Sequence, residues 1–212
     1  MTNAVTAQPE SNAPKAKAID VTMWFDPVCP FSWNTAQWLN AAAGELRFDV
    51  DWRLMNLAVL NQGRELPPAQ QARMHDSRHI GRLMAGIHRE HGSAGLGAAY
   101  FAFGKRYFDR GAGVDDQLVE HVLAAVAAPG TWFAALGDAA LDELVRSSHQ
   151  AGQDALGETG GSPIVRIAGN TFFGPVLTAV PGVDVTAAMF HAIATLGGIA
   201  QFVQLQRPRV AR

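Results

Sequence analysis

The sequence predicts a mixed α/β fold. Three observations predict it: an opening that reads strand, helix, strand; a middle stretch with helical period and little strand character; and strand signals that return near the C-terminus. Taken in order, Ile19–Phe25 is an apolar run and reads as a buried strand. Phe31–Ala43 reads as the first helix, with Gly44 as its C-cap. Phe48–Leu54 alternates apolar and polar residues, the pattern of a half-buried strand. Strand, helix and strand in so short a span predict a parallel βαβ unit.

From Pro67 to Gly157 the period is helical. Ala69–His91 is one predicted helix. Leu96–Arg110 is a second, with Tyr100, Phe103, Tyr107 and Phe108 near one face. Asp115–Ala128 is a third, capped by Asp115 or Asp116 and stopped by Pro129-Gly130. Asp138–Leu156 is a fourth, with Asp138 as N-cap. Ile164–Ala168 then reads as a strand, Gly169-Asn170 as a tight turn and Thr171–Phe173 as the returning strand of a hairpin. Val185–Leu196 is the closing helix. The order βαβ, helical block, ββα predicts a thioredoxin-like fold with a large all-helical insertion between the second and third strands, and helices on both faces of the sheet. Residues 19–62 and 158–205 would form the thioredoxin-like domain and 63–157 the inserted helical domain. Residues 1–18 are small, polar and without period, and read as a disordered N-terminal tail.

Composition narrows the function classes. The chain has 212 residues, 48% of them hydrophobic, a net charge of −2 and a mean hydropathy of +0.02, as in an ordinary globular protein with a substantial core. Charges are scattered, so neither a nucleic-acid stripe nor an acidic tail is expected. The tail lacks the apolar core of a signal peptide, and no stretch reads as a membrane span, so a cytoplasmic location is expected. Three lysines against fourteen arginines, with abundant alanine, suggest a GC-rich genome. A single cysteine, Cys29, excludes an intramolecular disulfide and every multi-cysteine metal site.

That cysteine carries the most chemistry. It follows the first strand and precedes the first helix in Trp24-Phe25-Asp26-Pro27-Val28-Cys29-Pro30-Phe31-Ser32-Trp33. At a helix N-terminus, unpaired N–H groups and the helix dipole favour an anion, so the thiolate, which is the nucleophile, is expected to be stabilised. Pro30 suits the first helical turn, which needs no N–H from it. Phe31 and Trp33 would form an aromatic rim. Ser32 stands where a redox pair would place a second cysteine. Its hydroxyl could donate to the thiolate, but it cannot attack a mixed disulfide, so a resolving thiol must come from outside. Ser162-Pro163 directly precedes the third strand. In a thioredoxin-like fold this bond is cis and faces the cysteine, which leaves the backbone of Ser162 to pair with an extended thiol ligand.

A resemblance adds to this. The segments Trp24–Pro30, Leu57-Ala58-Val59-Leu60-Asn61, Ser148-His149-Gln150-Ala151-Gly152, Gly161-Ser162-Pro163 and Phe172-Phe173-Gly174-Pro175-Val176-Leu177 resemble, in order, the actinobacterial mycothiol-dependent nitroreductases, which are DsbA-like oxidoreductases. The resemblance implies a reactive Cys29, mycothiol as thiol co-substrate, and reduction of a small disulfide or nitroaromatic compound. In the expected mechanism mycothiol binds in a groove between Phe31, the Ser162-Pro163 turn and Gly174, with Pro30, Phe173, Asn61 and His149 as further candidate binding residues. Those relatives carry Cys-Pro-Trp-Cys, whereas this chain has Cys29-Pro30-Phe31-Ser32, so a two-cysteine cycle does not transfer. A broader resemblance is to kappa-class glutathione transferases and hydroxychromene carboxylate isomerases. Their polar residues after the last hairpin are replaced here by Pro175 and Val176, which argues against glutathione.

Two further residues are weighed. Asn61 would lie near the thiol and bond the ligand or the Cys29 loop, or else serve as a turn residue. His149 would approach Cys29 as a proton donor, or else complement a helix end as a cation. His75 and His79, with His88 and His91 behind them, read as a polar helix face rather than a metal site. Gly92–Gly97 follows a helix rather than a strand and so does not read as a phosphate loop. The expected function is a single-cysteine thiol–disulfide oxidoreductase acting on a small molecule. The alternatives are a thiol-dependent isomerase or transferase, or a redox-inactive ligand-binding protein.

Overall fold

A computed structural model describes residues 19–208. The expected tail, 1–18, lies outside the described residues. Four strands form one sheet in the order β2-β1-β3-β4: β1 is Val21–Phe25, β2 Val50–Leu54, β3 Ile164–Ile167 and β4 Asn170–Phe173. β1 pairs parallel with β2, in register Val21 with Val50, and antiparallel with β3, which pairs antiparallel with β4. This is the predicted thioredoxin-like arrangement, and all the chain between β2 and β3 is helical or irregular.

The pleat decides which helix covers which face, because successive side chains of a strand point to opposite sides. Val21, Met23 and Phe25 of β1, with Trp52 and Leu54 of β2, join the large core cluster. Helix α1, Pro30–Leu46, and the closing helix α6, Thr186–Gly197, pack there through Trp38 and Phe190. Trp24 points the other way, into a smaller cluster with Met55 and Ile164 beneath Ala155 and Leu156 of α5, Asp142–Leu156. Helices therefore do cover both faces.

Boundaries differ from the expectation at several points. α1 runs on through Gly44 to Leu46, and Arg47 closes it in the left-handed region at φ 58. A short α2, Leu57–Leu60, follows β2 and is capped by the Asn56 side chain accepting from the Val59 N–H. The two expected helices 69–91 and 96–110 form one run, α3, Pro68–Tyr107, broken by non-helical backbone at Gly92. α4 is Asp116–Ala125, with Asp115 as its cap. The last insertion helix begins at Asp142 rather than Asp138, because Asp138 caps a separate 3₁₀ turn, Ala139–Leu141. The hairpin turn is Ala168-Gly169, both at positive φ (51 and 87), and Asn170 already belongs to β4. A type I′ turn needs positive φ at both central residues, which fits the right-handed twist of the strands.

Candidate thiol site

Cys29 occupies the cap position of α1 with extended backbone, φ −83 and ψ 115, and Pro30 follows as the first helical residue. Its N–H donates to the Asp26 carbonyl at 3.2 Å, and its carbonyl accepts from Trp33 at 3.1 Å. These bonds hold the sulfur at the start of the helix. The side chain is only 4% exposed. Its Sγ donates to the backbone carbonyl of Ser162 at 3.4 Å.

The expected low thiol pKa is overturned here. Burial pushes the Cys29 thiol up, because removing water penalises the charged form. The Ser32 N–H and hydroxyl and the Phe31 N–H pull it back, and the nearby Asp26 raises it again. The helix terminus acts in the expected direction, but burial and a buried carboxylate outweigh it. At rest the group is a thiol, consistent with its donating to a carbonyl.

The Ser162–Pro163 bond is cis, as the sequence predicts, and so is Gly174–Pro175. The Ser162 hydroxyl accepts the Asp26 N–H at 2.8 Å and lies 2.5 Å from the Ser32 hydroxyl. The Pro163 carbonyl accepts the Gly174 N–H at 2.9 Å, which draws the end of β4 against the site. Phe173 is 47% exposed, with its ring edge over Gly161. Pro30 and Phe31 are half-buried at the helix start. Cys29, Pro30, Phe31, Ser32, Ser162, Pro163 and Gly174 are thus brought together.

Two expected placements fail, and Asn61 takes its turn-residue alternative. Trp33 is not a rim residue. It is 3% exposed, stacks on Phe108 and donates from Nε1 to Asp109 at 2.9 Å. Asn61 caps α2: its amide donates to the Leu57 carbonyl at 2.8 Å and to Met74 Sδ, not to the Cys29 loop. His149 is buried, and its Nδ1 accepts the Asn56 N–H at 3.3 Å. Burial lowers its pKa, so the ring is neutral. It serves neither as a helix-end cation nor as a donor to Cys29.

Asp26 was overlooked by sequence reasoning. It is fully buried; one oxygen accepts the Val28 N–H at 2.8 Å, and the other accepts the Leu57 N–H at 2.6 Å and the Ser77 hydroxyl at 2.5 Å. Burial raises its pKa, while the Leu57, Ser77 and Val28 bonds and the charge of Arg73 oppose the rise. The signal was an acidic residue ending an apolar strand three positions before the cysteine. The Asp26 carboxylate ties the Cys29 loop to α2 and α3 at once. Among the described residues, no group of three or more His, Cys, Asp and Glu side chains could hold a metal ion, and no helix is long and apolar enough to cross a membrane.

Comparison with known proteins fits this geometry. The chain is similar to the uncharacterized protein Rv2286c of Mycobacterium tuberculosis, 29% identical over 196 residues, covering 89% of this chain and 82% of that one. Among solved structures it is similar to a 2-hydroxychromene-2-carboxylate isomerase, with a TM-score of 0.57 and 17% identity, covering 83% of this chain and 95% of that one. It is also similar to SrgA of Salmonella enterica serovar Typhimurium, with a TM-score of 0.50 and 14% identity, covering 86% and 94%. At such identities these structures speak to the fold alone. The family model described as mycothiol-dependent nitroreductase Rv2466c matches residues 28–207, from just before Cys29 almost to the end of the described residues, and the chain belongs to this Rv2466c-like family.

Proposed function

We propose that this chain, by family a thiol-dependent enzyme, is a single-cysteine thiol–disulfide oxidoreductase that uses mycothiol as its co-substrate. The observation that carries the reading is the seating of Cys29 Sγ at the start of α1, 3.4 Å from the Ser162 carbonyl, with Ser32 where a second thiol would stand. One cysteine cannot store two electrons as an internal disulfide, which favours mixed disulfides of mycothiol over substrates that need a two-cysteine cycle.

The cycle balances without an outside oxidant. The Cys29 thiol gives its proton to solvent base. The thiolate attacks the mycothiol sulfur of a mixed disulfide, a Cys29–mycothiol disulfide forms, and the substrate leaves as its thiolate. A second mycothiol thiolate then attacks the mycothiol sulfur of that adduct, regenerating Cys29 and releasing mycothiol disulfide. In the net exchange one mixed disulfide and one mycothiol give one substrate thiol and mycothiol disulfide: the substrate sulfur is reduced and the entering mycothiol sulfur is oxidised. Mycothiol would lie between Phe31, the Ser162-Pro163 turn, Phe173 and Gly174, with the freed Ser162 carbonyl able to accept from its amide. At 4% exposure the sulfur is reached only by local opening of the overlying site, so access forms part of the barrier.

Intact-mass measurement after exposure to mycothiol disulfide tests the reading, with Cys29→Ser as control. One mycothiol adduct on the wild-type chain and none on the variant is expected. An adduct from glutathione disulfide but not from mycothiol disulfide defeats the co-substrate assignment. Product formation with no disulfide made would instead indicate an isomerase or transferase.

A further inference from the structure

Tyr100 is fully buried, yet its hydroxyl has no hydrogen-bond partner among the described residues. A buried, unpaired hydroxyl is a cost to the fold, because it has given up water and gained nothing. A phenylalanine would fill the same volume without that cost. The position of the ring suggests what the hydroxyl is for. It stacks on Phe25 at 3.8 Å and meets Trp33 edge-on at 5.7 Å. Phe25 ends the strand before the Cys29 loop and Trp33 lies in the first turn after it, so Tyr100 sits beneath the loop that carries the sulfur. Cys29 and Asp26 are the two groups whose charges act on it. Both favour a phenol that keeps its proton and remains a donor.

The resting hydrogen bonds explain why no partner is present yet. As a thiol, Cys29 donates to the Ser162 carbonyl. Asp26 has its oxygens engaged by Val28, Leu57 and Ser77. Once Cys29 loses its proton, its contact with the carbonyl becomes repulsive, and the sulfur must turn toward donors. Ser32 supplies an N–H and a hydroxyl, but that hydroxyl is shared with Ser162.

We infer that the Tyr100 hydroxyl is held in reserve as the donor that receives the charge developing on Cys29 Sγ when the thiol ionises and attacks. This rests on the exchange reading above and assigns to it a residue that stabilises the attacking state rather than the resting one. The step is the one already written: the thiol proton leaves to solvent base, the new S–S bond forms, and the departing sulfur carries the electron pair. The Tyr100 proton stays on its oxygen throughout.

The test is Tyr100→Phe, read in two ways. The first is the pH dependence of Cys29 alkylation by iodoacetamide. The profile is expected to move about one unit to higher pH, roughly a tenfold loss of rate at neutral pH. The second is the urea midpoint, expected to be unchanged or higher, since an unpaired hydroxyl has been removed. A packing role would not lower reactivity while sparing stability. A superimposable pH profile overturns the inference. So does a lower urea midpoint, which would mean that the hydroxyl is already satisfied at rest. Wild-type protein that neither alkylates at Cys29 nor takes up mycothiol defeats the exchange reading itself and this inference with it. Wild-type protein that reacts while Tyr100→Phe matches it defeats this inference alone.

Discussion

The Ser32 hydroxyl lies 2.5 Å from the Ser162 hydroxyl, across 130 residues of sequence. The position that in a redox pair would hold the resolving thiol is therefore occupied by a bridge to the residue before the cis-proline. The substitution of serine for cysteine removes a nucleophile and adds a polar tie between the start of α1 and the start of β3.

Ser32→Cys should restore an intramolecular disulfide. The Cys29 side chain leaves the cap position and residue 32 the first turn, the spacing of a C-x-x-C motif. Under mild oxidation, intact mass should fall by about 2 Da relative to the reduced form, since two thiol hydrogens are lost. The mycothiol adduct expected on wild type should be short-lived in this variant, because an internal thiol can displace it.

Asp26→Asn should make Cys29 more reactive. The Asp26 charge raises the Cys29 pKa, so removing it should move the alkylation profile toward lower pH and raise the alkylation rate at neutral pH. Stability should change in a pH-dependent way. The folded pKa of Asp26 lies above its unfolded value of 3.8, so its contribution is full below 3.8 and is lost as pH rises through the folded pKa. Wild type should therefore lose stability relative to Asp26→Asn in urea titrations as pH rises above 3.8 through the folded pKa.

His149 carries the opposite sign. Its folded pKa lies below the model-peptide value of 6.5, so its contribution is present above 6.5 and is lost as pH falls through the folded pKa. The protonated ring could no longer accept the Asn56 N–H. Thermal unfolding of His149→Gln should show a smaller loss of stability on acidification than wild type, with Cys29 alkylation near neutral pH little changed.

Gly104→Ala should destabilise the fold by about 1–3 kcal/mol, measured by urea denaturation. A Cβ at 104 would clash with Trp33 Cζ3 and Cε3, where Trp33 stacks on Phe108. Because Trp33 belongs to the first turn after Cys29, the alkylation profile should broaden or shift as well.

The sequence made the frame legible, because its signals are local. The apolar run ending at Phe25, the Pro30 that starts α1 and the Asp115 cap of α4 all act within a few residues, whereas α4 ends at Ala125, before the expected Pro129-Gly130 stop. The Cys29 position at a helix start and the Ser162-Pro163 turn were legible for the same reason. Gly44 misled because an isolated glycine can sit inside a helix when the true cap, here Arg47 at φ 58, lies further on. The chain pattern leaves Asn61 open between the thiol and a turn, and side-chain direction assigns it to the end of α2; the resemblance brings His149 toward Cys29, but its ring accepts the Asn56 N–H instead.

By itself, then, the chain determined its order of strands and helices, its one thiol at a helix start and the lack of a second thiol. Only the tertiary structure decided how that nucleophile is charged. Whether a sulfur is ionised depends on the water removed from it and on every charge brought near, and Asp26 and Ser162 reach Cys29 through the strand turn and the β3 start. A helix terminus is a local property, but the solvation of an atom buried between segments far apart in sequence is not.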